Sequence, residues 1–154
     1  MIKVMFVCHG NICRSPMAEF VLKDMVEKRG LKDQFIIASS ATSTEEIGNP
    51  VHHGTRNKLK EYGISIAGKT AVQLRKKDYA SYDYVLGMDQ RNVVNMLRII
   101  GHDNENKVKR LLDYTDHPRD IADPWYTGDF DKTYEDVVEG CVSLLNEIFN
   151  KMEK

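Results

Sequence analysis

The chain has 154 residues, 42% hydrophobic and 29% charged, and 22 Lys plus Arg against 23 Asp plus Glu leave a net charge of −1. A domain of this length removes roughly 70% of its unfolded surface from water, enough for a real core. The charge balance argues against nucleic acid as the main partner, and no apolar run approaches the about 18 residues that suggest a membrane span.

Three cysteines, two of them only five apart, do not resemble a disulfide framework. The stretch before Cys8 is too short for the apolar core of a secretory signal. The expectation is therefore a single cytoplasmic domain over residues 1–154, without membrane association and with its oligomeric state open.

Ile2 to Cys8 is a short β-rich apolar run, the pattern of a strand buried on both faces. Ser15-Pro16 predicts a helix N-cap followed by the proline tolerated in the first turn. Met17, Phe20, Val21, Met25 and Val26 then repeat at helical spacing, with a stop at Gly30. Phe35 to Ala38 reads as a second strand, and Asn49-Pro50 as the start of a helix that runs through Lys60 toward Gly63. Tyr82 to Met88 is a third strand, Asp89 caps a helix bearing Val93, Val94 and Leu97, and Val108 to Leu112 is a fourth strand. Residues 118–130 look like a loop. Tyr134, Val137, Val138, Cys141, Leu144, Leu145, Ile148 and Met152 form the apolar stripe of a final helix. Strands alternating with helices argue an α/β fold, a parallel sheet covered by helices on both faces. Such sheets bind ligands beyond the carboxyl ends of their strands.

The turn after the first strand, Cys8-His9-Gly10-Asn11-Ile12-Cys13-Arg14-Ser15, occupies that place. Its backbone N–H groups and those of the first helical turn converge on an anion-sized cavity. Gly10 and Asn11 accept left-handed conformations, which a tight loop around a tetrahedral anion requires. A cysteine facing these dipoles and the Arg14 cation is expected to ionise more readily than a free thiol. Arg14 offers a planar fork for two phosphate oxygens. The whole is a phosphate receptacle with a thiolate at its floor, suited to attack on phosphorus. The Gly-Lys-Ser/Thr ending of a nucleotide-binding loop is missing. The departing oxygen needs a proton, and Asp113, Asp116, Asp120 and Asp123 all compete to supply it. Only Asp123 precedes a proline, which restricts its backbone.

Residues 7–19, Val-Cys-His-Gly-Asn-Ile-Cys-Arg-Ser-Pro-Met-Ala-Glu, resemble the signature of the low-molecular-weight protein tyrosine phosphatases. Asp123-Pro124-Trp125-Tyr126, about 115 residues beyond Cys8, resembles the same family's Asp-Pro-aromatic-aromatic loop, and Val85 to Asp89 fits as well. The resemblance implies a four-stranded parallel sheet, no metal, no organic cofactor and phosphotyrosine-containing protein or peptide substrates. It implies Cys8 as nucleophile, Arg14 as phosphate and transition-state binder, and Asp123 as general acid and base. It further implies that Asn11, Ser15 and Ser39 support the loop, with the Ser15 hydroxyl stabilising the Cys8 thiolate, and that Trp125 and Tyr126 form an aromatic wall.

Two departures stand out. Glu45 occupies the cleft wall where many members carry an aromatic residue. Gly68 aligns where eukaryotic-type members carry a histidine that supports the loop asparagine. No cysteine lies in residues 68–90, against an arsenate-reductase relay, and Ile12 replaces the threonine that phosphoarginine phosphatases tend to have. The five histidines show no ligand spacing with the cysteines, and His52-His53 is expected to face solvent. Cys8 and Cys13 share one tight loop, which suggests a redox-sensitive pair.

Overall fold

The computed structural model describes residues 1–153. At its centre is a four-stranded, wholly parallel sheet in the order β2-β1-β3-β4. Its strands are β1 (Ile2–Cys8), β2 (Phe35–Ala41), β3 (Tyr84–Gly87) and β4 (Val108–Arg110). The helices are α1 (Arg14–Lys28), α2 (His53–Lys60), α3 (Asp78–Ser81), α4 (Gln90–Ile100), α5 (Pro124–Thr127) and α6 (Phe130–Met152).

β1 is apolar throughout because it feeds two cores. Val4, Phe6 and Cys8 enter the larger cluster with Met17 and Leu22 of α1 and Val137 and Leu144 of α6. Met5 and Val7 point to the opposite side, against Met96 and Ile100 of α4. The period-2 alternation of a strand places successive residues on opposite faces, so a strand covered twice needs an unbroken apolar run. Gly54 permits close approach of α2 and α6, since a Cβ there would lie 2.3 Å from the Phe130 ring.

Several local expectations are corrected. α1 begins at Arg14 with Cys13 at the N-cap position and no side-chain cap, so Ser15 is not the cap. The Ser15 hydroxyl is engaged by Cys8 and Asn11 instead. Pro16 still falls in the first turn, where its missing N–H costs nothing. Asn49-Pro50 does not start a helix. Asn49 accepts the Ala71 N–H at 2.9 Å and Pro50 bridges to Thr70, so α2 begins only at His53. β4 stops at Arg110 because Asp113 turns back to accept from the Arg110 N–H and Nε, closing a short 3₁₀ turn over Leu111–Tyr114. The stretch 118–130 is not all loop: Asp123 caps α5, Pro124 takes its first position, and Gly128, at φ 71°, ends it in a left-handed conformation. The cap expected at Asp89 is present, as a reciprocal capping box with Asn92.

Candidate active site

The loop from Cys8 to Ser15 carries the chain from the carboxyl end of β1 into α1. Cys8 is 3% exposed and its sulfur lies among donors: the Asn11 N–H at 3.3 Å, the Ser15 N–H at 3.5 Å and the Ser15 hydroxyl at 3.0 Å. These donors face the sulfur because the loop is wound tightly, and Asn11 permits the winding at φ 59°. Gly10 is not left-handed; a Cβ there would press on the Glu46 side chain at 3.3 Å. A non-glycine residue in the left-handed region persists only where its surroundings hold it. Asn11 is held on every side: Nδ2 donates to Ser15 Oγ at 2.8 Å and to Ser39 Oγ at 2.9 Å, and Oδ1 accepts the Val72 N–H at 3.1 Å.

Arg14 is 2% exposed yet fully partnered on only part of its fork. Nη1 donates to Asp89 Oδ2 at 2.7 Å and to the Ile121 carbonyl at 2.9 Å, and Nη2 lies 3.5 Å from Asp123 Oδ2. Burial works against its charge, but Cys8, Asp89 and Asp123 outweigh that and push its pKa further up. Among the described residues, Nε has no partner.

Cys8, Ile12, Arg14, Asp123, Trp125 and Tyr126 line one cleft of about 120 Å³, and His9, Cys13, Glu45 and Glu46 complete its rim. Of the four competing acids, Asp123 alone reaches this cleft. Asp113 and Asp120 pair with Arg110, and Asp116 is exposed. Asp123 Oδ1 accepts the Trp125 N–H at 3.0 Å, which ties the carboxylate to the start of α5. Trp125 and Tyr126 stand exposed at 57% and 83%. Across the cleft mouth, His9 Nε2 and Glu45 Oε2 are 2.9 Å apart. Cys13 is buried, and burial followed by the nearby Cys8 charge pushes its pKa up to about 12. A larger groove, about 590 Å³, lies between α1 and the free edge of β2 and holds none of these groups.

Of the pair expected to face solvent, His53 is exposed, whereas His52 is half-buried. Its N–H donates to the Ile12 carbonyl at 2.9 Å, its ring stacks on Phe130 at 5.3 Å, and it meets Trp125 edge-on at 5.6 Å. It thus connects the loop to the aromatic wall. Asp89 and His52 adjoin the cleft residues without a site role assigned to them from the sequence, where Asp89 reads as a helix cap within the Val85–Asp89 resemblance and His52 as solvent-facing. Gly68, at φ 85°, contributes no side chain to the loop.

Residues 3–154 match the family described as low molecular weight phosphotyrosine protein phosphatase. The chain belongs to that family. It is a phosphoric monoester hydrolase by membership, and its sheet and first-turn loop are those of the family fold. The chain is 41% identical over 150 residues to the low molecular weight protein-tyrosine-phosphatase YfkJ of Bacillus subtilis, covering 96% of both chains. The crystal structure of YfkJ superposes with a TM-score of 0.94 over 98% of this chain and 96% of that one. The low molecular weight protein tyrosine phosphatase SP-PTP of Streptococcus pyogenes gives a TM-score of 0.85 at 42% identity, covering 96% and 93%. PtpA of Staphylococcus epidermidis is 36% identical, with 96% and 94% covered.

Proposed function

We propose that this phosphatase domain hydrolyses phosphotyrosine in proteins or peptides through a cysteinyl-phosphate intermediate. The Cys8 thiolate attacks phosphorus and the bond to the phenolic oxygen breaks. The Asp123 carboxyl passes its proton to that departing oxygen. Asp123, now ionised, takes a proton from water, whose oxygen attacks phosphorus. The S–P bond then breaks, returning Cys8 as thiolate and releasing inorganic phosphate. Arg14 and the N–H groups of the loop bind the equatorial oxygens and stabilise the charge that develops on them.

The observation that carries this reading is the Arg14 guanidinium, buried, with Nη1 and Nη2 engaged by protein acceptors and Nε unpaired, on a residue that lines the same cleft as Cys8. A phosphate oxygen supplies the acceptor that the buried donor lacks. Ile12, Trp125 and Tyr126 support an aryl ring as the rest of the substrate, since they give the cleft an apolar and aromatic lining. Three buried, unpaired cysteines fit a reducing compartment, and we assign the enzyme to the cytoplasm. Para-nitrophenyl phosphate and phosphotyrosine-peptide assays test the reading. Wild type is expected to turn over both and to be inhibited by vanadate, and Cys8→Ser to be inactive while still binding phosphate. A Cys8→Ser enzyme with the wild-type rate overturns it.

A further inference from the structure

Behind the loop, on the side away from the cleft, lies a buried charged group that none of the steps above uses. Glu19 of α1 is 5% exposed. Its Oε1 accepts the Ser39 hydroxyl, and its Oε2 accepts Lys23 Nζ. Lys69 follows the left-handed Gly68 and has a side chain only 12% exposed. Its Nζ donates to the Ser39 carbonyl at 3.0 Å and lies 3.8 Å from Glu19 Oε1.

These contacts give the loop's hydrogen bonds a direction. A hydroxyl has one proton and a carboxylate accepts only. Ser39 spends its proton on Glu19, so it must accept from Asn11 Nδ2. That sets the Asn11 amide with its oxygen toward the Val72 N–H and its other amide proton toward Ser15 Oγ. Ser15 Oγ, already an acceptor, has its own proton free for the Cys8 sulfur at 3.0 Å, a closer partner than the Ser40 carbonyl at 3.4 Å.

We propose that Lys69 is a positioning residue for the nucleophile: by tying Glu19 to the Ser39 carbonyl, it fixes the chain of hydrogen bonds that turns the Ser15 proton toward Cys8. A buried carboxylate is stable only when a cation or donors compensate it. Lys23 compensates Glu19 from the exposed side of α1, but only Lys69 also grips β2. Burial lowers the Lys69 pKa, Glu19 opposes that, Lys23 reinforces it, and the charge of Cys8 again favours the ammonium. Gly68 supplies the left-handed turn that brings this lysine inward.

The inference rests on the proposed role of Cys8, and the experiment separates the two. Cys8→Ser, Lys69→Gln, Lys69→Arg and Lys23→Gln are compared with wild type for para-nitrophenyl phosphate kinetics, for iodoacetamide alkylation of Cys8 at mildly acid pH, and for Tm. Lys69→Gln is expected to lower kcat and the alkylation rate by about tenfold each with KM within about twofold, as for loss of a hydrogen bond to a charged group. Lys69→Arg is expected to restore both, and Lys23→Gln to leave both near wild type. Combining Lys69→Gln with Ser39→Ala is expected to cost no more than the larger single change, because both break one chain. Wild-type kcat and alkylation in Lys69→Gln, with or without a fall in Tm, overturn the positioning role while Cys8→Ser stays dead. Should Lys69→Gln not fold, Lys69→Met fills the same space without charge and is judged by the same two constants. Turnover by Cys8→Ser overturns the mechanism itself.

Discussion

Asp89 divides its carboxylate between two tasks: Oδ1 accepts the Asn92 N–H at 2.7 Å to cap α4, and Oδ2 accepts Arg14 Nη1 at 2.7 Å. The guanidinium is thereby fixed to the start of a helix on the other side of the sheet. Asparagine caps helices as well as aspartate but carries no charge. Asp89→Asn is therefore expected to keep Tm within a few degrees and to lower kcat/KM roughly tenfold, the loss of a charge-assisted bond. Asp89→Ala adds about 1 kcal/mol of lost capping. Wild-type kcat/KM in Asp89→Asn would show that Ile121 and Asp123 suffice to hold Arg14.

Asp123 is held at the mouth of the cleft by the Trp125 N–H, 25% exposed and within reach of Arg14. If it protonates the departing oxygen, Asp123→Asn should slow poor leaving groups far more than good ones. A series of aryl phosphates, with log kcat plotted against phenol pKa, measures this. The slope is expected to steepen in the variant, and parallel lines would remove Asp123 as the acid.

Glu45 makes one wall of the cleft acidic where Trp125 makes the other aromatic. Its pairing with His9 is solvent-exposed, so it is easily exchanged for a charge on the substrate. Lys or Arg beside the phosphotyrosine should be favoured over Asp or Glu. Glu45→Gln is expected to reduce that preference, most visibly at low salt, where screening is least. Glu45→Trp is expected to lower KM, since a second stacked ring adds of order 0.5–1.5 kcal/mol. Unchanged KM and unchanged peptide preference in both variants would place specificity elsewhere.

Cys13 remains a thiol because its pKa is pushed up to about 12. Capture of an oxidised Cys8 needs the Cys13 thiolate, so disulfide formation should accelerate about tenfold per pH unit from neutral upward. Mass spectrometry of peroxide-treated protein at neutral and alkaline pH reads this directly. The absence of a Cys8–Cys13 disulfide at both would end the idea. Cys13→Ser should turn reversible inactivation into irreversible over-oxidation. The same burial has a stability consequence. Above about 8.5 the unfolded chain loses the Cys13 proton while the folded chain keeps it, so stability falls as pH rises toward 12. Chemical denaturation at alkaline pH should show a shallower loss in Cys13→Ser.

By itself the sequence determined what depends on neighbouring residues. A strand buried on both faces must be apolar throughout, so β1 is legible without coordinates. Cys8, Asn11 and Arg14 lie on one turn because the chain between strand and helix is short, and Asp123-Pro124 restricts its own backbone wherever it sits. Tertiary structure decided the partners. Arg14 meets Asp89 and Ile121, 75 and 107 residues away, and Asn11 meets Val72, 61 residues away. No local pattern names these, because a buried charge or amide requires some acceptor or donor without specifying which segment supplies it. The same competition moved the start of α1: Ser15 has the chemistry of a cap, but the Cys8 sulfur and the Asn11 amide, brought close only by the fold, claimed its hydroxyl first.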